Sequence, residues 1–196
     1  MKKSAIAIIV IAVLALAAYF ALSIYVLPKS YLSISPPKPE PVFTNIALSA
    51  LEISLGQFFD LSITATNKRE TADLQIVSVE FPNLTRTDDF VTITKYDFSQ
   101  KPLFIKLGRE IGAEYTGGEK SIFKKYPSIE AINRPWNAGD SHGIDLEIKP
   151  DKVGRFVIFV KTIALPHLEE RAHFPRDGIK DDQNEYVSVY SVEVKP

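Results

Sequence analysis

The chain has 196 residues, with 23 basic side chains against 24 acidic ones and no cysteine. Lack of cysteine excludes a disulfide framework, thiolate-bound zinc, iron–sulfur and blue-copper centres, and a cysteine nucleophile. The near-neutral charge lacks the basic excess that nucleic-acid binding requires.

Residues 4–27, SAIAIIVIAVLALAAYFALSIYVL, contain no charge, Gly or Pro. About 20 apolar residues suffice to cross a bilayer as a helix, and a helix satisfies its own backbone in lipid. Lys2 and Lys3 precede the run, which by the positive-inside rule predicts a cytoplasmic stub (1–3) and an extracytoplasmic C-terminal part. A secretory signal would have an apolar core of only 7–15 residues and a small-x-small cleavage site, for which Ala15-Leu16-Ala17 qualifies. The apolar run continues well past it, so the expectation is an uncleaved single-pass anchor in the cell membrane. Ala17 and Ala21 form a small-xxx-small pair suited to a partner helix. Residues 1–27 hold two of the 23 basic residues, leaving 21 against 24 acids beyond them.

Residues 28–41 contain Pro28, Pro36, Pro37, Pro39 and Pro41 and predict an extended, semi-rigid spacer. Residues 42–196 read as one domain of short strands. In 57–66, QFFDLSITAT, the residues Phe59, Leu61, Ile63 and Ala65 alternate with polar ones, which marks a half-buried strand. Residues 74–81 (LQIVSVEF) and 90–98 (FVTITKYDF) follow as strands. Ile144, Leu146 and Ile148 alternate in 143–149, and a Pro150–Gly154 turn leads into RFVIFVKTIAL (155–165), expected as a central strand buried on both faces. In the last strand, 185–195, the valines at 187 and 189 fall on one face and those at 192 and 194 on the other. A β-bulge near Tyr190-Ser191 is expected to restore the phase. The predicted fold is all-β, an immunoglobulin-like antiparallel β-sandwich with one N-terminal transmembrane helix. Residues 101–141 are expected to form an insertion.

Residues 51–67, LEISLGQFFDLSITATN, resemble the opening strands of immunoglobulin-like extracellular modules of prokaryotic, archaeal-type surface proteins. Residues 146–160, LEIKPDKVGRFVIFV, are similar to their penultimate strand pair. The layout is also similar to archaeal motility-motor accessory proteins. A second resemblance joins 153–165 and 182–189 to the closing strands of the external ammonia/methane monooxygenase subunit. That family carries a His-x-His copper pair where this chain has Val157 and Phe159. The resemblance therefore implies a ligand-poor cupredoxin-like subunit of a membrane oxidase complex.

Candidate sites are few. His142, His167 and His173 would suit zinc or copper if loops bring them together. Asp177, Asp181, Asp182 and Glu185 would supply oxygens to calcium, although their spacing does not match an EF-hand loop. Neither a G-x-S-x-G elbow, a phosphate-binding GxxxxGK[ST] loop nor an H-E-x-x-H pair is present, so the sequence predicts no enzyme and no cofactor. Asn83-Leu84-Thr85 is a glycosylation sequon. Trp136 with Arg134, Tyr115 and Tyr126 is the expected contact surface, since aromatic residues and Arg dominate binding hot spots, with a satellite core beneath a long loop as the equal alternative. The function expected is a membrane-anchored, non-enzymatic interaction or accessory subunit that binds protein and not nucleic acid.

Overall fold

The computed structural model describes residues 13–19, 38–111, 122–166, 173–181 and 185–196. It divides into two compact units, residues 1–37 and 38–196. In the first, residues 13–19 form a short helix with Val13, Leu14, Leu16 and Tyr19 exposed. Among the described residues no helix is long and apolar enough to cross a membrane. The rest of the apolar run and most of the proline-rich spacer lie outside them.

The described residues of the second unit form thirteen strands. They are β1 (Pro41–Leu48), β2 (Glu52–Ser54), β3 (Phe59–Asn67), β4 (Ala72–Glu80), β5 (Val91–Tyr96), β6 (Leu103–Ile105) and β7 (Glu110–Ile111). There follow β8 (Ile122–Phe123), β9 (Ser128–Asn133), β10 (Ser141–Ile148), β11 (Gly154–Pro166), β12 (Ile179–Lys180) and β13 (Tyr186–Lys195). One sheet has the order β1-β3-β10-β5, and a larger one β12-β13-β11-β4-β9-β6 with β2 also on β13. Numbering only the seven strands β1, β3, β4, β5, β10, β11 and β13 as A to G gives sheets A-B-E-D and C-F-G. That is the strand order of an immunoglobulin constant-type sandwich. All sheet pairings are antiparallel except β2 with β13.

The alternation read from β3 and β10 is met, with Phe59, Leu61, Ile63, Ala65, Ile144, Leu146 and Ile148 all buried. Phe59 and Phe156 meet edge-on across the sheets, ring centroids 6.0 Å apart. These lie on the two strands that antibody domains tie with a disulfide. In a chain without cysteine, packing between the sheets takes over that link. Strand β11 lies between β13 and β4, as expected of a central strand, and is buried on both faces from Val160 to Ala164, while its first half alternates between buried and half-buried residues.

Two expectations are corrected. No bulge is present in β13: its register with β11 runs unbroken from Val194 to Ser188. Val192 and Val194 face the core, while Val187 and Val189 face outward and Val187 is buried in the wall of a cavity near β12. The phase change thus reflects a strand with partners on both faces. Residues 101–141 are also more than an insertion. Strand β9 runs through the sheet between β4 and β6, and all six of its residues are buried.

Trp136 follows from that placement. Its backbone exchanges two 2.9 Å hydrogen bonds with Ala72, its indole N–H donates to the Asp140 carbonyl, and the side chain is fully buried. It is core, not contact surface. Trp136→Ala is expected to lower unfolding free energy by about 3–5 kcal/mol, the cost of emptying a buried aromatic site. Chemical denaturation measures it, and a loss below about 1 kcal/mol would contradict the burial.

Candidate functional site

The outer face of the large sheet is where this chain departs from an ordinary sandwich. Strands β9, β4 and β11 lie side by side, with Ser78 paired to Glu130 on one side and Lys161 on the other. One step along, Glu80 stands between Ser128 and Phe159. Lys124, just after β8, sends its ammonium into this surface at 2.5 Å from Glu130 Oε1, 2.8 Å from Glu80 Oε1 and 3.2 Å from Ser78 Oγ. The Ser78 and Ser128 hydroxyls donate to the same Glu130 oxygen at 2.8 and 3.2 Å. Lys161 binds Asp181 Oδ2 at 3.0 Å and Glu185 Oε2 at 2.9 Å, both from the β12–β13 connection. The Glu185 N–H donates to Asp181 Oδ1 and the Asp181 N–H to the Glu185 carbonyl, so that connection also closes on itself.

Lys124, Glu130 and Lys161 are the buried charged residues among those described. Burial alone would push both lysines down. For Lys161 the Glu185 carboxylate and its hydrogen bond, then Asp181 and Glu80, outweigh that and hold the ammonium well above the ordinary lysine value. For Lys124 burial is again the largest influence and Lys161 adds repulsion, yet Glu130 and Glu80 leave it raised. A cavity of about 240 Å³ adjoins the cluster, bounded by Lys124, Lys161, Glu80, Tyr126 and Phe159 among others. The Tyr126 and Phe159 rings pack edge-on at 5.8 Å. Firmly protonated ammonium groups are poor nucleophiles and poor bases. The cluster is therefore built to hold segments together, tying β8 and the β12–β13 connection to the sheet.

Among the described residues the candidate metal ligands form no metal site. His142 lies at the start of β10 with its Nδ1 3.2 Å from the Asp97 carbonyl and its ring against Phe98. His173 bridges Ala164 through its backbone. Among the described residues no three His, Asp or Glu side chains could hold a metal ion. Asp181 and Glu185 converge on the Lys161 ammonium, which occupies the place a calcium ion would need, and Asp177 is exposed. His167 and Asp182, like Tyr115 and Ala21, lie outside the described residues. Of the expected contact residues, Arg134 is exposed, Tyr126 is half-buried in the cavity wall, and Ala17 is exposed on the short helix. Asn83 is exposed, and its Oδ1 accepts the Val157 N–H at 2.7 Å, continuing the hydrogen bonding between chain segments where β4 ends. Val157 and Phe159, set where the monooxygenase resemblance has copper ligands, are half-buried apolar residues.

None of the ionic cluster except Asp181 and Glu185 is among the sequence candidates. One signal for it is a lone lysine inside RFVIFVKTIAL: a charge in a strand buried on both faces demands a partner.

No protein-family model matches the chain, and no curated protein matches it in sequence. Solved structures share the general sandwich at low identity. The CARDB domain of a Pyrococcus furiosus protein is 9% identical over 81% of this chain and 98% of that one, with a TM-score of 0.36. The collagen-binding domain of a Staphylococcus aureus adhesin is 10% identical, covering 79% and 96%, at 0.36. A cohesin module from a Clostridium perfringens family 33 glycoside hydrolase is 8% identical, covering 80% and 96%, at 0.35. Likeness this distant carries no functional argument, and the immunoglobulin-like assignment rests on this chain's own strand order.

Lys161→Met is expected to destabilise the domain by about 2–4 kcal/mol at neutral pH, because Asp181 and Glu185 lose their counter-ion. Adding Asp181→Asn and Glu185→Gln should recover most of that in urea titrations. A raised lysine pKa in the folded state stabilises fully below the ordinary lysine value, and the gain is lost as pH climbs through the folded value. The native protein should therefore lose stability above about pH 10.4, and the triple variant should lose less. Parallel alkaline denaturation curves would remove the cluster from the stability of the fold.

Proposed function

We propose that the chain is a single-pass membrane protein whose β-sandwich lies outside the cytoplasm and acts, without catalysis, as an interaction or accessory subunit of a membrane or cell-surface complex. The observation that carries the non-catalytic part is the saturation of the buried ionic cluster. Lys124 and Lys161 are occupied by carboxylates, and both are held protonated. Anchoring is supported by the uncharged run of residues 4–27, by Lys2 and Lys3 before it, and by the bare apolar side chains of residues 13–19. Ala17 and Ala21 would offer a helix-packing face within that anchor.

Alkaline carbonate washing of membranes from cells making the full chain tests the anchor, combined with protease added to intact cells. The protein should stay in the pellet, and its sandwich should be cut from outside. Release into the wash would overturn the anchor, and protection until the cells are lysed would overturn the orientation.

A further inference from the structure

We propose that Asn83 is the attachment site of an N-linked oligosaccharide, transferred from a lipid-phosphate carrier as the chain emerges on the outer side of the membrane. The proposal rests on the extracytoplasmic placement above. Among six asparagines, Asn83 alone has Ser or Thr two positions on, with Leu84 between it and Thr85. That triplet is what a transferase of this class recognises. Hydrogen bonding then separates Asn83 from other asparagines. The Asn67 amide donates through Nδ2 to the Glu70 and Trp136 carbonyls, that of Asn133 to the Pro135 carbonyl, and that of Asn137 to Asp140 Oδ2. Asn83 instead uses its oxygen. Its partner at 2.7 Å is a backbone donor, the Val157 N–H, so the bonded atom must be Oδ1. The nitrogen, which is the atom that carries the sugar, stays available on an exposed side chain.

The local fold accepts the product. Pro82 presets a turn that the Leu84 N–H closes on the Phe81 carbonyl at 3.1 Å. Asn83 and Thr85 are exposed on either side of Leu84, whose side chain is buried in the core. N-glycosylation replaces one hydrogen on Nδ2 and keeps the carbonyl oxygen, so the Val157 bond survives it. Leu84 also sets the order of events. Drawing the folded triplet into an enzyme's cleft would empty that core position. Transfer therefore precedes folding, while the chain is still leaving the membrane.

The step balances without a redox partner. Asn83 Nδ2 attacks the anomeric carbon of the carrier-bound sugar, a C–N bond forms, and the C–O bond to the carrier phosphate breaks. The lipid phosphate leaves with the bonding pair, and Nδ2 gives up one proton. An oligosaccharide is bulky and hydrophilic and belongs at the surface. Asn83 offers such a position, whereas Asn67 and Asn133 are buried.

The test isolates the full chain from membranes of its source cells and reads the peptide containing Asn83 by mass spectrometry. That peptide should carry a sugar mass on Asn83. Asn83→Gln and Thr85→Ala should abolish it, and Thr85→Ser should keep it because the hydroxyl remains. An unmodified Asn83, a sugar that persists in Thr85→Ala, or one carried on a serine or threonine instead would each overturn the proposal. Thermal unfolding confirms that Thr85→Ala, a change at an exposed side chain, still folds. The carbonate wash and external protease separate the two readings. Membrane-retained protein that is cut from outside yet unmodified defeats the glycan alone, and modified protein released by the wash defeats the anchor alone. Protein that is protected until lysis and unmodified defeats both the orientation and the glycan.

Discussion

Strand β11 must satisfy two different interiors at once, and the rest of the sandwich is arranged to let it. Its inner face places Phe156, Ile158, Val160 and Ala164 in the core between the sheets. Its outer face carries Lys161 and Ile163, both buried. An ordinary sandwich leaves that outer face to water, where a lysine would cost nothing. Here it is covered, so the lysine must be matched by carboxylates or the strand could not remain central.

The match extends beyond one pair. Glu80 contacts Lys124 and raises the pKa of Lys161, so the two lysines share a carboxylate at the middle of the sheet. Glu130, Asp181 and Glu185 complete the outer positions. Next to the ions, Leu74, Ile76, Ile132 and Ile163 form a separate small apolar cluster on the same face. The large sheet thus has an apolar zone and an ionic zone on its outer side. Hydrophobic packing alone would tolerate several placements of a covering segment, because it is non-directional. Hydrogen-bonded ion pairs are directional, and they fix β8 and the β12–β13 connection in one place. Gly178 sharpens this: its φ is +100°, and a Cβ there would run into the Val187 carbonyl. The chain entering β12 lies so close to β13 that only glycine fits there.

How far the sequence can be read follows from the same two-faced burial. Strands with one wet face announce themselves, which is why β3 and β10 could be placed from alternation alone. β11 was recognisable because its run is apolar enough to leave no other place for it. β9 was not. Its SIEAIN pattern mixes Ser128 and Glu130 with Ile129 and Ile132, which reads as a surface loop unless the partners Lys124 and Ser78 are known. Those partners are distant in sequence, so no local pattern reveals them. The valine phase of β13 misled for the same reason: outward Val187 looks like a register error until the cavity wall near β12 is seen. A lone tryptophan in a Gly- and Pro-rich stretch suggested a binding loop, whereas Trp136 closes the core beside Ala72.

Several of the residues expected to bind are instead used by the fold. Trp136 is core, and Asp181 and Glu185 are counter-ions. Tyr126 packs against Phe159. Exposed turns remain where β2 pairs in parallel with the last residues of β13. The chain leaves β1, lays down three residues beside β13 and crosses back to β3 through those turns. On that excursion Ile53 reaches the core, while Leu51, Leu55 and Phe58 stay exposed. One buried side chain, Ile53, thus fastens the crossing to the sandwich while its neighbours stay at the surface.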